Sequence, residues 1–477
     1  MENLKIDKLL SWTKEEFSRF RDKRASNSQY PIGDVVQSGL AMFSLKDSSL
    51  LEYNNRVAQR LPNLNRIYKI ENCPPDSQMR RVLDKVGSIQ IERVKRKLIY
   101  KVKEAGLLEE FQYFKGYYLL AIDGVHHFSS KEVSCSNCLH RTHEDGSTTY
   151  SHSMLAAVIV HPSKRVVLPL CEEAIVHQDG ETKNDCELNA SKRLLEKVRT
   201  RHMDLKFIRV EDALYANGPH IKSIQENGDK YIITVKPGSG AGSVIEQYEA
   251  LKAGIEKEKK SPEDHKLFKL HGIKKPMSQV VTPQIEKLEI EINLSNNNSS
   301  KNKKGKNKEV IKAYYYVNGL YLNESHKDIK VHFLHYIERC KETGKILKQF
   351  QWITNIELTA QNVQKVEKAA RARWKIENET FNTLKNQGYN FEHNYGHGEE
   401  NLCTNFALLM ILAFLIDQIQ QLSNEVFQQT LEHLKWKKYL WEDIRSFFRT
   451  LPFGSMEHIY KAIVHGVQAD YLSFDTS

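Results

Sequence analysis

Short apolar runs alternate with amphipathic segments along the chain and predict a mixed α/β protein. The spacing of residues 186–200 is helical, because Leu188, Leu194 and Val198 fall on one side. Strands that precede helices in this way are typical of a mixed sheet with flanking helices. Five apolar runs have the length of buried strands and occupy residues 118–122, 154–160, 166–170, 206–210 and 231–235.

The patterns divide the chain into five segments. Both ends are helical, the middle is strand-rich, and the two segments between them are expected to form the halves of one α/β core. In chain order the segments are residues 1–110, 111–236, 237–350, 351–425 and 426–477. The strand-rich segment predicts an antiparallel insertion, and its polar stretch near 295–308 predicts a disordered loop.

Composition and charge narrow the class of protein. Hydrophobic residues make up 40% and charged residues 27% of the 477 positions, which excludes wholesale disorder. The 70 lysines and arginines exceed the 60 aspartates and glutamates, and the formal charge of +10 suits a polyanionic partner. The longest apolar stretch, residues 406–416, is too short to span a bilayer, and the N-terminus lacks the apolar core of a signal peptide. We therefore expect a soluble, cytoplasmic protein with no membrane partner, whose seven cysteines are reduced.

A basic helical segment, residues 78–103, lies in the N-terminal region. One interpretation is a solvated helix surface. The other is a DNA-binding helix whose cations contact phosphates. The candidate DNA contacts are Arg80, Arg81, Arg93, Lys95, Arg96 and Lys97.

Three carboxylates are candidates for catalysis. Asp123 and Asp212 each follow an apolar run, and a carboxylate at the end of a strand is held on rigid backbone where α/β sheets bind ligands. Oxygen atoms from two such residues suit Mg²⁺. Glu377 lies four residues after Arg373 on a predicted helix, residues 362–386, whose apolar side chains favour a partly buried carboxylate. Glu379 is the rival third carboxylate, and the position of Arg373 favours Glu377.

The order of these features resembles the DDE transposases of bacterial insertion sequences, which share an RNase-H-like core. The resembled subgroup has a β insertion between its second Asp and its Glu, and a helix signature Y-x2-R-x3-E-x6-K. Arg373 and Glu377 match this signature. Ala370 stands at the tyrosine position, and Lys385 lies one residue beyond the lysine position. Segments 76–86, 179–193, 352–362 and 388–402 also resemble transposase sequence.

The resemblance implies a function and its residues. Asp123, Asp212 and Glu377 would bind two Mg²⁺ or Mn²⁺ ions, and Arg373 and Lys385 would neutralise DNA phosphates. The substrates would be double-stranded DNA, namely terminal inverted repeats and a target, held by a homodimer or a higher assembly that associates with the nucleoid when bound. Two alternatives remain: a transposase-derived DNA-binding protein without catalysis, and a metal-dependent nuclease on the same core.

A second set of candidate metal ligands lies between the first two core strands. Cys135 and Cys138 have the CxxC spacing of half a zinc site, and His140, His143 and His152 follow closely. Cys135, Cys138, His140 and His143 therefore predict a structural Zn²⁺ site, against the alternative of two reduced surface thiols. Histidines in two other places, 126–127 and 393–397, are weaker candidates for contact with metal or DNA.

Aromatic residues in or beside the insertion allow two interpretations. Tyr314, Tyr315, Tyr316 and Trp352 fit cross-strand packing. Some transposases of the resembled kind instead stack an aromatic side chain on a base flipped out of the duplex. Trp352 is the candidate for such a DNA contact.

Overall fold

The computed structural model describes residues 2–25, 27–179, 183–260, 283–294 and 308–474. The chain divides into two compact units, of which unit 1 comprises Met1–Leu205 with Trp374–Ser477 and unit 2 comprises Lys206–Arg373. The loop predicted near 295–308 lies outside the described residues, except for Lys308.

Unit 1 is rich in amphipathic helices. The N-terminal five are α1 (Ile6–Ser18), α2 (Ile32–Ser44), α3 (Leu50–Tyr68), α4 (Asp76–Lys85) and α5 (Ser88–Glu104), and α6 (Lys183–Arg201) follows the strands. The C-terminal ones are α10 (Asn382–Asn386), α11 (Leu402–Ser423), α12 (Glu425–Leu434), α13 (Lys437–Thr450) and α14 (Met456–His465). Helical ends of the chain are therefore confirmed.

The strands of unit 1 pair in an antiparallel sheet. They are β1 (Gln112–Phe114), β2 (Tyr117–Ser130), β3 (Leu139–Thr142), β4 (Thr148–Val160) and β5 (Leu168–Ile175). Strand β4 is central, because it pairs with β2 along one edge and with β3 and β5 along the other. Residues Met154–Val160 of β4 are buried without interruption, which explains their continuous apolar sequence.

Helix α11 is the core helix of unit 1. It packs against α2, α4 and α5. Among the described residues it alone has the length and apolar composition of a membrane span, yet 89% of its most apolar stretch is buried inside the protein. The apolar run at residues 406–416 therefore forms a buried helix, as the sequence predicts.

A carboxylate from α4 fixes the start of α11. Asp84 accepts hydrogen bonds from the backbone N–H groups of residues 399–402, at 3.0–3.1 Å. Three of these N–H groups belong to the residues just before α11, and the fourth belongs to Leu402, the first residue of the helix. The carboxylate therefore holds the loop that leads into α11 and lies at the positive end of the helix dipole. Asp84 is 7% exposed, so this cap is buried.

Among its described residues, unit 2 contains a mixed sheet and three α-helices. The strands are β6 (Lys206–Glu211), β7 (Lys230–Thr234), β8 (Glu286–Leu294), β9 (Lys308–Tyr321), β10 (Lys330–Cys340) and β11 (Ile346–Thr354). The helices are α7 (Gly218–Glu226), α8 (Gly242–Lys260) and α9 (Val363–Arg371). Strands β6 and β7 are parallel, and the order β7–β11–β10–β9–β8 is antiparallel throughout. The predicted antiparallel insertion is thus confirmed, whereas α8 was not predicted from the sequence.

Candidate active site

Asp123 lies within β2. Its Oδ1 accepts a hydrogen bond from the Gly124 N–H at 2.9 Å, and its side chain is half-buried. The predicted end of the strand at Ile122 is wrong, because β2 continues to Ser130. The antiparallel ladder with β4 continues past Asp123, which is opposite Ala156, and this pairing keeps the polar residues that follow extended.

Asp212 follows β6 directly, as the sequence predicts. Its Oδ1 accepts a hydrogen bond from the Leu214 N–H at 2.9 Å and thereby caps the short 3-10 turn Ala213–Tyr215. The preceding Glu211 is buried and hydrogen-bonds His220 at 2.8 Å. The half-buried carboxylate of Asp212 therefore has a fixed backbone position at the end of a strand.

Glu377 lies in a π-helical segment, Ile376–Phe381, which interrupts the continuous α-helix predicted for residues 362–386. The segment buries Ile376, Thr380 and Phe381 and leaves Glu377 exposed, so the expected partial burial of Glu377 is wrong. The wider winding of a π-helix removes the four-residue periodicity on which that expectation depended. The segment packs against β2, the strand that carries Asp123. Single π-helical turns are frequent at functional sites.

Glu379, in the same segment, is half-buried. Burial lowers the pKa of the neighbouring Lys375, and the charge of Glu379 partly opposes that effect. The Lys375 ammonium donates a hydrogen bond to the Lys164 carbonyl at 2.7 Å. Glu379 thus has a local electrostatic partner within unit 1.

Comparison with known families identifies the chain. Residues 139–415, more than half of the sequence, match a family model described as a transposase DDE domain. The chain belongs to the DDE transposase family. The matched segment contains Asp212 and Glu377 and begins after Asp123. The mixed α/β fold with helical end regions is consistent with the RNase-H-like fold of such transposases. No curated protein matches the chain.

The Cys–His cluster of the transposase differs from the one predicted. Cys135 and Cys138 lie together with His152 and His397, whose ligand atoms all fall within 4.8 Å of one another. His140 instead stacks on His177, and the His143 ring hydrogen-bonds the Thr149 hydroxyl at 2.8 Å. The predicted participation of His140 and His143 is therefore wrong. His140 lies on the short strand β3, which pairs with β4, and His143 follows this strand directly.

Two buried histidines lie at this cluster: His152 belongs to it, and the His127 ring is next to the His152 ring. Burial lowers the pKa of His127 to about 3. Burial, together with the nearby His397, lowers the pKa of His152 to about 4. Both imidazoles are therefore neutral at physiological pH, the form in which histidine binds metals.

The predicted phosphate contacts of the transposase do not all reach the surface. Lys95 is 3% exposed and forms an ion pair with the equally buried Glu172, so the structure removes it from the predicted DNA-binding surface. Lys97 is exposed and pairs with Glu16 at 2.5 Å. The other candidates of the basic segment are Arg80, Arg81 and Arg93, which are exposed, and Arg96, which is half-buried.

A basic cleft lies beside the N-terminal helices. It has a volume of about 630 Å³. Its charged lining comprises Arg21, Lys23, Arg24, Arg81 and Lys85, with Asp22 and Glu400. Because cations outnumber carboxylates in it, the cleft presents positive charge to solvent.

The two cations of the predicted helix signature are both half-buried. Arg373 lies at the end of unit 2. Lys385, in α10, forms an ion pair with Glu392 at 2.6 Å. A phosphate that contacts Lys385 therefore competes with a carboxylate already in place.

Trp352 belongs to the interior of unit 2. It is 3% exposed, and its ring stacks on Phe350 with centroids 5.5 Å apart. Tyr314 and Tyr316 are also buried. The structure therefore contradicts the prediction of Trp352 as a DNA contact and favours the packing interpretation of these aromatics.

Proposed function

We propose that this transposase cleaves DNA at the terminal inverted repeats of its element and joins the freed 3′-hydroxyl ends to target DNA. Membership of the DDE family supports transposase activity in general. The observation that carries the finer proposal is the packing of the Glu377 segment against β2, which bears Asp123. Two acidic side chains far apart in sequence are thus carried by contacting elements of unit 1.

Asp123, Asp212 and Glu377 are the proposed ligands of divalent cations. Carboxylate oxygens are the ligands that Mg²⁺ and Mn²⁺ prefer, so the donor set fits these ions. When bound, such ions supply an activated nucleophile and neutralise charge at the leaving oxygen of a phosphodiester. The Gly124 N–H donates a hydrogen bond to Asp123 Oδ1, and the Leu214 N–H donates one to Asp212 Oδ1. These hydrogen bonds orient the two carboxylates.

The basic cleft is the proposed contact for flanking DNA. Its excess of cations suits the phosphate backbone, and contacts of this kind position DNA without reading its sequence. Arg373 and Lys385 would act on phosphates nearer the cleavage point. Two element ends must be held together for joining, so the working assembly is expected to be a homodimer or larger.

A strand-transfer assay tests the proposal. The transposase is incubated with a labelled terminal-repeat duplex, a target plasmid and Mg²⁺, and joined products are quantified. The test variants are Asp123→Asn, Asp212→Asn and Glu377→Gln. Asn keeps the side-chain oxygen that accepts the Gly124 or Leu214 N–H, so folding is preserved while metal affinity falls.

The cleavage rate of each variant is expected to fall by at least about 100-fold, because the metal-dependent step loses its charge stabilisation. Each variant should still bind the duplex with wild-type affinity. Glu379→Gln, on the same π-helical segment, is the matched control and should retain activity. Normal cleavage by Glu377→Gln would contradict the assignment. Binding without cleavage by the wild type would favour the non-catalytic alternative, and cutting without joining would favour a nuclease.

A further inference from the structure

Four potential metal ligands converge in unit 1, outside the carboxylate site. Cys135 and Cys138 lie in the connection between β2 and β3, His152 lies on β4, and His397 lies ahead of α11. Cys138, His152 and His397 are at most 8% exposed. The cysteines form no disulfide. His397 is 245 residues from His152, so the complete cluster exists only in the folded unit.

Five of the six separations between the ligand atoms match the edges of a tetrahedron around zinc. The two Sγ atoms are 3.9 Å apart, and His152 Nε2 lies 3.4 Å from each. His397 Nε2 lies 3.3 Å from Cys138 Sγ and 3.1 Å from His152 Nε2. Usual Zn–S and Zn–N lengths in tetrahedral geometry require about 3.8 Å between sulphurs, about 3.6 Å between S and N, and about 3.3 Å between nitrogens. Five edges therefore agree to within a few tenths of an ångström.

Hydrogen bonds around the cluster orient two of the ligands. His397 Nδ1 lies 2.8 Å from the Gly398 carbonyl oxygen, which can only accept a hydrogen bond. Nδ1 therefore carries the proton, and the lone pair of Nε2 is available to bind a metal ion. Metal-binding histidines usually donate their second N–H in this way. The Cys135 N–H donates to Cys138 Sγ at 3.4 Å, which fixes the position of that sulphur.

We propose that Cys135, Cys138, His152 and His397 bind one structural Zn²⁺ ion. Two sulphur and two nitrogen ligands select zinc over the oxygen-binding Mg²⁺. Four protein ligands complete a tetrahedron and leave no position for substrate, so the ion has a structural role. It would fasten the chain that follows the Glu377 segment to strand β4 and to the connection between β2 and β3. This metal is therefore distinct from the ions proposed for Asp123, Asp212 and Glu377.

Elemental analysis of full-length protein purified without added metal or chelator tests the proposal. About one zinc per chain is expected in the wild type. Cys138→Ser and His397→Ala should each lose most of it. The matched controls are His140→Ala and His143→Ala, which remove the histidines nearest in sequence, and Cys340→Ser in unit 2. All three controls should retain the wild-type zinc content.

A second measurement does not depend on whether the variants fold. Wild-type protein is treated with an alkylating reagent with and without a strong chelator, and modified thiols are mapped by mass spectrometry. Chelation should selectively expose Cys135 and Cys138, and refilling with Co²⁺ should give the visible spectrum of a tetrahedral sulphur-bound ion. Wild-type protein without zinc, or alkylation of both thiols at the same rate with and without chelator, would overturn the proposal. So would loss of zinc from His140→Ala but not from His397→Ala.

Discussion

The buried cap on α11 offers a quantitative test of how unit 1 is held together. Asp84→Ala removes the acceptor of four backbone N–H groups, those of residues 399–402, and leaves them at the start of a largely buried helix. Asn401, at the N-cap position, makes no capping hydrogen bond through its own side chain, so nothing local replaces the carboxylate. The segment also follows His397 directly, which couples the cap to the proposed zinc site.

The expected loss is about 3 kcal/mol. A lost helix cap typically costs about 0.5–2 kcal/mol, and each hydrogen bond to a charged acceptor contributes about 1.5–3 kcal/mol before water compensates for part of it. Asp84→Asn keeps one acceptor and loses the favourable charge at the helix N-terminus, so it should cost about 1–2 kcal/mol.

Native-state hydrogen exchange of the first turns of α11, read by mass spectrometry, measures this directly. If these amides exchange by local opening, 3 kcal/mol corresponds to roughly 100-fold faster exchange in Asp84→Ala. The matched control is Asp76→Ala on the same helix, where the carboxylate is 34% exposed and pairs with Arg80 at 3.4 Å. That exposed pair should contribute less than about 1 kcal/mol. Equal exchange rates in the two variants would refute the reasoning.

The stabilisation that the Asp84 cap provides should also depend on pH. Burial raises the pKa of Asp84, but the four backbone hydrogen bonds outweigh burial and leave the pKa below its usual value. A depressed pKa in the folded state gives stabilisation that is fully present above the unfolded pKa of about 3.9 and is lost as pH falls through the folded value. The difference between wild type and Asp84→Asn should therefore persist at neutral pH and narrow below about pH 4. A difference that grows in acid would contradict this account.

Three further predictions use other contacts. Asp47→Ala leaves the buried Arg60 guanidinium without the carboxylate that it contacts at 2.7 and 2.9 Å, so denaturant unfolding should show a loss of about 3–5 kcal/mol. Gly398→Ala should unfold at lower temperature than wild type, because φ is +70° and a Cβ would lie 2.4 Å from Asp84 Oδ1. Arg81→Gln should weaken binding to all DNA duplexes alike and reduce the salt slope of log K by about 1, measured by fluorescence anisotropy. An unchanged free energy of unfolding for Asp47→Ala, an unchanged melting temperature for Gly398→Ala, or an unchanged DNA affinity for Arg81→Gln would contradict the contact assigned to that residue.

Local sequence pattern predicts the elements whose burial is uniform. The run Met154–Val160 is buried throughout β4, and the run at 406–416 lies within the buried α11, so apolar residues alone locate both. The position of Asp212 directly after a strand is predicted for a similar reason, because an apolar strand ends immediately before it. The continuation of β2 past Asp123 was missed because it depends on pairing with β4, which is distant in sequence.

The residues that were misassigned depend on tertiary contacts. His397 lies 259 residues from Cys138, so no spacing rule connects them, whereas the nearer His140 has another partner. The π-helical segment at Glu377 is not predicted, because the apolar spacing of residues 362–386 also fits a continuous α-helix. Lys95 could have been recognised, because it shares the face of α5 that buries Ile91 and Leu98 at helical spacing.

The central claim is that Asp123, Asp212 and Glu377 share one cation site. Metal-catalysed cleavage of the protein backbone near a bound ion tests this claim most directly. Transposase preincubated with Zn²⁺, to fill the proposed Cys–His site, is given Fe²⁺ in place of Mg²⁺ together with ascorbate and peroxide. The backbone breaks are then mapped by mass spectrometry. We predict breaks close to Asp123, Asp212 and Glu377 together, suppressed by excess Mg²⁺ and absent from Asp212→Asn. Breaks near only one of the three, or a pattern that Mg²⁺ leaves unchanged, would contradict a shared cation site.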